Sequence, residues 1–137
     1  FPPDPSGAAG MNYYVQAVNS SYRVWNKDGT PVSGAPVMGL SSLWPGSSSD
    51  GDPIIMYDRY ADRWFISQFQ TPPDNEILIA ISETSDPLGS YHAYTFSFSS
   101  FPDYPKFGVW SNGYYMTANT NGPDCVVFER DKMLVGD

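Results

Sequence analysis

Residues 54–98 read IIMYDRYADRWFISQFQTPPDNEILIAISETSDPLGSYHAYTFSF, and this stretch indicates the fold class. Four short runs rich in β-branched and aromatic residues lie at 54–58, 63–69, 76–82 and 91–98. Turn-forming Asp, Asn, Gly and Pro separate the runs, so they predict four antiparallel strands joined by short loops. In the last run Tyr94, Phe96 and Phe98 alternate with small polar residues, the pattern of a strand with one buried face.

A similar pattern returns on both sides of this middle unit at a step of about 50 residues. The aromatic second strand of each unit lies at 13–15, 64–66 and 114–116, and a further β-rich run follows at 22–25, 77–81 and 125–128. A period of this length with several short strands is typical of a β-propeller or a related radial array. We therefore predict an all-β, β-propeller-like fold of consecutive four-stranded antiparallel blades.

The repeat also predicts that the propeller is incomplete. Residues 1–137 form a single propeller-like segment, with blade-like units at about 5–40, 50–99 and 103–137. The sequence ends where the fourth strand of the third unit is expected, which leaves about two and a half blades, whereas propellers close with roughly four to eight. Because open sheet edges promote association, we expect a fragment of a longer chain, or a chain that associates with further copies.

Composition excludes two classes of partner or location. The formal net charge is −8, with twelve Asp, three Glu and only three Lys. Such an acidic surface repels phosphate backbones, so we expect no nucleic-acid binding. No apolar run approaches the length that crosses a bilayer, so we expect no membrane span.

The single cysteine limits the covalent and metal chemistry. Cys125 excludes an internal disulfide and every multi-cysteine metal site. Because it lies inside an apolar run, we predict that it is a small core residue. Trp25 and Trp64 lie inside predicted strands, and we predict both in the core between blades.

The order of these motifs resembles a family of large secreted, mostly bacterial proteins that carry propeller-like repeats and are usually left uncharacterised. The similarity lies in residues 3–16, 50–64, 82–91, 101–110 and 114–117. It implies secretion and a chain longer than this one, and it brings no catalytic residue set. A glycosylation-type sequon, Asn19-Ser20-Ser21, is also typical of extracellular proteins.

Two groups of carboxylates are candidates for chemistry. Asp50 and Asp52 lie close together in a Ser/Gly-rich loop, which suits a Ca²⁺ ion or a simple turn into the next strand. Asp58 and Asp62 flank the first hairpin of the middle unit. Paired carboxylates serve glycoside hydrolysis, but these two bracket a tight turn, and an ion pair from Asp58 to Arg59 or Arg63 that stabilises the turn explains them better.

Four aromatic residues form the candidate binding set: Trp44, Trp110, Tyr91 and His92. Aromatic rings stack on sugars because they combine apolar faces with polar edges. Trp44 falls in a Gly/Ser/Pro loop, where a large ring either fills a gap or contacts a ligand. We place His92, the only histidine, out of phase with the aromatic face of its strand, which predicts a partly exposed ring.

These observations favour an extracellular binding or structural scaffold over an enzyme. Its partner would be a carbohydrate or an extracellular protein. The alternatives are a glycan-acting hydrolase that uses Asp residues of a propeller channel, and a structural subunit that assembles through open strand edges.

Overall fold

The computed structural model describes residues 2–122 and 125–137, and within them the chain forms three antiparallel sheets. The first sheet contains β1 (Pro5–Ala9), β2 (Tyr13–Val18), β3 (Ser21–Asn26) and β4 (Met38–Gly39). The second contains β5 (Ile54–Asp58), β6 (Arg63–Gln70), β7 (Glu76–Ser82) and β8 (Tyr91–Ser97). The third contains β9 (Asp103–Trp110), β10 (Gly113–Asn119) and β11 (Cys125–Phe128).

This architecture confirms the all-β class and the antiparallel sheets. Strands that are neighbours in sequence are neighbours in each sheet. The described residues do not close into a propeller, but three consecutive sheets of this kind are compatible with one. Two short helices accompany the strands, a 3₁₀ helix at Leu40–Leu43 and α1 at Arg130–Met133. Among the described residues no helix is long and apolar enough to cross a membrane.

Two hydrophobic cores lie between the sheets. The first joins the first and second sheets and includes Val15, Val24, Ile55 and Trp64. The second joins the second and third sheets and includes Phe65, Ile79 and Tyr114, among others. Side chains alternate across a strand, so neighbouring Trp64 and Phe65 enter different cores. The second sheet is therefore buried on both faces, and β6 and β7 are almost continuously buried along their length.

The three sheets repeat each other position by position. The strand pairs Ala8↔Val15, Met56↔Phe65 and Gly108↔Tyr115 occupy equivalent places in the first hairpin of each sheet. In the first two sheets this pair points towards the next sheet along the chain. The intervening positions point the other way, towards the preceding sheet. The repeat seen in the sequence is thus a repeat of sheet packing.

The backbone repeats one irregular conformation as well. Asp4, Asp52 and Tyr104 all have left-handed φ angles, of 39°, 46° and 54°, and each precedes a proline where the first strand of its sheet begins. A residue before proline normally adopts an extended conformation, and the left-handed region is costly for non-glycine residues. The same exception at three equivalent positions shows that the units share one strand-entry geometry.

The repeat leaves one uncovered face at each end of the stack. The outer face of the first sheet is formed by the residues of β1–β3 that point away from the second sheet: Gly7, Ala9, Tyr14, Gln16, Val18, Arg23 and Trp25. The outer face of the third sheet is formed by the residues of β9–β11 that point away from the second sheet: Lys106, Gly108, Trp110, Tyr115, Thr117, Cys125 and Val127.

Two core predictions are wrong because of these faces. Cys125 is exposed, since Val126 and Phe128 take the inward positions of the short strand β11. Trp64 does lie in the core between sheets, but Trp25 is on the outer face of the first sheet and is half-buried. Apolar composition predicts that a strand has a buried face, but not which alternate residues form it.

Candidate functional site

The structure separates the four predicted binding residues. Trp44 is buried, and its indole nitrogen donates a hydrogen bond of 3.2 Å to the carbonyl oxygen of Ile79. Of the two roles predicted for this ring, filling a gap is therefore the one observed. Trp110 is 59% exposed at the end of β9, and its ring meets that of Tyr60 edge-on at 6.0 Å.

Tyr91 and His92 lie on opposite faces of β8. Tyr91 packs against the first core, its hydroxyl donates to the carbonyl of Pro87, and burial raises its pKa. The prediction that His92 is out of phase with the aromatic face is wrong, because residues 92, 94 and 96 share one side of the strand. Its half-buried ring lies against Gly136, close to where Tyr94 bonds the carbonyl of Met133.

The two predicted metal ligands face different surroundings. Asp50 is tied to the loop that follows β6, where it accepts hydrogen bonds from the Thr71 amide at 2.9 Å and the Thr71 hydroxyl at 3.1 Å. Burial opposes its ionisation, but bonds from Ser48 and Thr71 outweigh this and lower its pKa. Within residues 2–122 and 125–137, no three His, Cys, Asp or Glu side chains form a group suited to a metal ion.

Asp52 instead belongs to a recess that joins the three strand entries. Asp4, Asp52, Tyr104 and Lys106 line this recess, which has a volume of about 290 Å³. Burial, followed by repulsion from Asp4, raises the pKa of Asp52. The ammonium group of Lys106 lies 4.0 Å above the Tyr104 ring. A carboxyl of raised pKa beside a second carboxylate is a common feature of acid–base sites, so this recess suits the hydrolase alternative.

The raised pKa of Asp52 predicts how the charge of this side chain affects the stability of the fold. A carboxyl whose folded pKa is raised binds protons more readily in the folded state, so its effect on stability becomes less favourable as pH rises through that pKa. Asp52→Asn should therefore raise the melting temperature at pH 7, and asparagine also tolerates a left-handed φ. The gain should shrink as pH falls below the raised pKa.

Thermal unfolding between pH 3 and pH 7 measures this effect. Asp74→Asn removes the same charge from an exposed loop, so it controls for the general relief of the net charge of −8. Equal shifts for both variants at every pH would show that the Asp4–Asp52 contact is not responsible.

A buried ion pair crosses the junction between the second and third sheets. Arg130 of α1 contacts Asp58 of β5, with Nε 2.6 Å from Oδ2, and the Asp58 side chain is fully buried. The Tyr114 hydroxyl donates to the same carboxylate at 2.9 Å, and the Tyr60 amide donates at 3.0 Å. Burial opposes ionisation of Asp58, but the bonds from Arg130 and Tyr114 outweigh it and lower its pKa.

This arrangement identifies Asp58 as a structural carboxylate. It stabilises the β5–β6 turn as expected, because it accepts from the backbone amides of that turn. Its charge partner, however, is Arg130 and not Arg59 or Arg63. Arg59 donates to the Tyr60 hydroxyl, and Arg63 donates to the carbonyl of Ala61. A carboxylate that accepts bonds from a guanidinium, a phenol and two amides has no free position from which to attack a substrate.

The two outer faces are further surfaces that a partner could contact. Trp110, Tyr115 and Val127 expose 59%, 39% and 56% of their surface on the third sheet. On the first sheet Arg23 stacks 5.1 Å from the centre of the Trp25 ring. Within the described part of the chain, its Nε and the Trp25 Nε1 are buried without a hydrogen-bond partner.

Comparison of the chain with protein-family models, with curated proteins and with solved structures found no match.

Proposed function

We propose that this chain is a binding or structural scaffold segment of a secreted β-propeller-type protein. The observation that carries the proposal is the repeated packing of the three sheets. The second sheet presents one face to the sheet before it and one to the sheet after it, and repetition of this packing would generate a radial array of blades. Its two end faces then hold apolar and aromatic surface of the kind that protein interfaces use.

The buried polar groups support a scaffold in preference to an enzyme. The ion pair between Asp58 and Arg130 fastens one sheet to the next, and the Trp44 indole fastens a loop to β7. These groups serve packing and not substrate contact. The partner class, carbohydrate or extracellular protein, follows from the exposed Trp110 and Tyr60 rings, because aromatic side chains are enriched at both kinds of binding surface.

A panel of chromogenic glycosides tests the scaffold against the hydrolase. We expect no turnover above the uncatalysed rate. Turnover that disappears in Asp52→Asn and persists in Asp74→Asn would replace the scaffold with a hydrolase centred on the recess of Asp4 and Asp52.

A glycan array separates the two classes of partner. Glycans that bind the native chain and are lost from Trp110→Ala would identify carbohydrate as the ligand of the outer face of the third sheet. An array without bound glycans would assign that face to protein. Leu88→Ala is the control, because it truncates an exposed apolar side chain in a loop outside both outer faces.

A further inference from the structure

We infer that the two outer faces bind each other, so that a second copy of this chain docks head to tail. The inference rests on the proposed propeller-type scaffold. The two outer faces differ in direction. The outer face of the first sheet is formed by the alternate residues that, in the second and third sheets, pack against the preceding sheet. The outer face of the third sheet is formed by the alternate residues that, in the first and second sheets, pack against the following sheet.

Equivalent contacts at the two internal junctions show what such docking would look like. At the first junction the Trp64 ring lies over Gly10, so closely that a Cβ atom there would fall 2.6 Å from it. At the second junction Tyr114, which is equivalent to Trp64, bonds to Asp58, which is equivalent to Gly10. In both cases an aromatic residue of the second strand reaches the end of the first strand in the sheet before it.

The same step applied once more pairs the two outer faces. Trp110 occupies the end of the first strand in the third sheet, the position that Gly10 occupies in the first sheet and Asp58 in the second. Tyr14 occupies in the first sheet the position of Trp64 and Tyr114, and it lies on the outer face, where no other sheet of the described residues packs. A second copy would bring its Tyr14 to Trp110, and its half-buried Trp25 against the exposed third sheet. The outer faces thus continue an interface that already exists twice within the chain.

The outer face of the first sheet has buried donors that a docked face could satisfy. The first sheet has Gln16 and Arg23 where the second has Ile66 and Ala80, and among the described residues the Arg23 Nε and Trp25 Nε1 donors have no acceptor. The third sheet carries an exposed hydroxyl acceptor at Thr117. Buried donors are nearly always satisfied in native structures. Docking of a face that supplies acceptors would satisfy these two donors.

A head-to-tail contact uses both outer faces at once, so a change in either face should break it.

Light scattering after size-exclusion chromatography tests this inference on the native chain. We expect particles heavier than one chain that dissociate on dilution. Val18→Asp on the first outer face and Val127→Asp on the third place a charge in the proposed contact, and each should raise the dissociation constant at least about tenfold. Leu88→Asp, at a similarly exposed loop position outside both faces, should leave the mass unchanged.

The pair of variants identifies the mode of association. If only one of the two variants dissociated the particle, like faces would be pairing and the head-to-tail contact would be refuted. A native chain that stays monomeric at every concentration would refute the second copy, and the outer faces would then belong to another occupant. Neither result bears on the glycoside panel, which tests the scaffold itself. Circular dichroism shows whether each variant retains the β-sheet signal.

Discussion

Asp58→Ala should lower the free energy of unfolding by about 3–5 kcal/mol, because it leaves the Arg130 charge buried without its partner. The Arg130 side chain is only 7% exposed, and Asp58 is not exposed at all. The substitution also removes the acceptor of the Tyr114 hydroxyl and of two backbone amides in the β5–β6 turn. Urea unfolding at pH 7 measures the loss.

Two further variants separate the ion pair from general damage to the turn. The double variant Asp58→Ala/Arg130→Met should lose less free energy of unfolding than the sum of the two single variants. Each single variant leaves one charge buried without a partner, and the double variant leaves none. Asp131→Asn is the matched control: this carboxylate also contacts Arg130, at 3.3 Å, but it is 87% exposed. It should change stability by less than about 0.5 kcal/mol. Strictly additive single costs would contradict a coupled buried pair.

The same pair predicts a dependence on pH. The folded-state pKa of Asp58 is lowered, so its contribution to stability is present above the pKa of the unfolded chain. It is lost as pH falls through the folded-state pKa. The difference in stability between the native chain and Asp58→Ala should therefore narrow in acid and be largest near neutral pH.

Trp64→Ala should cost about 3–5 kcal/mol, the range for truncating a buried aromatic residue. Trp64 is 1% exposed, its ring packs on Tyr57 at 5.1 Å, and its indole nitrogen donates to the Ser85 carbonyl at 3.1 Å. Because this ring fills the space over Gly10, its removal opens a cavity between the first and second sheets. Thermal and urea unfolding with matching midpoint shifts would measure the cost.

Trp110→Ala makes the same truncation at an exposed ring. At dilutions where the chain is monomeric it should cost less than about 1 kcal/mol. At higher concentration it should weaken association, because Trp110 is the proposed contact of Tyr14 in a second copy. Equal costs for Trp64→Ala and Trp110→Ala in the monomer would contradict the burial of Trp64 between sheets.

Local patterns predict the strands well where the side chains themselves favour a sheet. The runs of the second unit correspond closely to β5–β8, because Ile, Phe and Tyr favour a pleated, half-buried surface. β1 was predicted least well. Its residues, Pro-Ser-Gly-Ala-Ala, have little strand propensity, and the segment is extended because it pairs with β2. The signal in the sequence that could have indicated it is the proline that recurs at the strand entries, at positions 5, 53 and 105.

Contacts between distant residues could not be predicted from the sequence. Arg130 and Asp58 are 72 positions apart, and no spacing rule links a helix after β11 to a turn in the second sheet. Trp25 and Trp64 both lie in strands, yet Trp64 packs against a neighbouring sheet and Trp25 lies on an open face. What decides their burial is the position of the sheet in the stack, and this is a property of the whole chain.

The reactivity of Cys125 tests most directly whether the outer face of the third sheet is an inter-sheet surface. This thiol is the only one in the chain, and it lies on that face. Alkylation by a neutral maleimide should slow by about tenfold or more as the concentration rises through the range in which the chain associates, because the face becomes covered. A rate that stays constant over that range, and equal to that of Val127→Asp, would contradict the account.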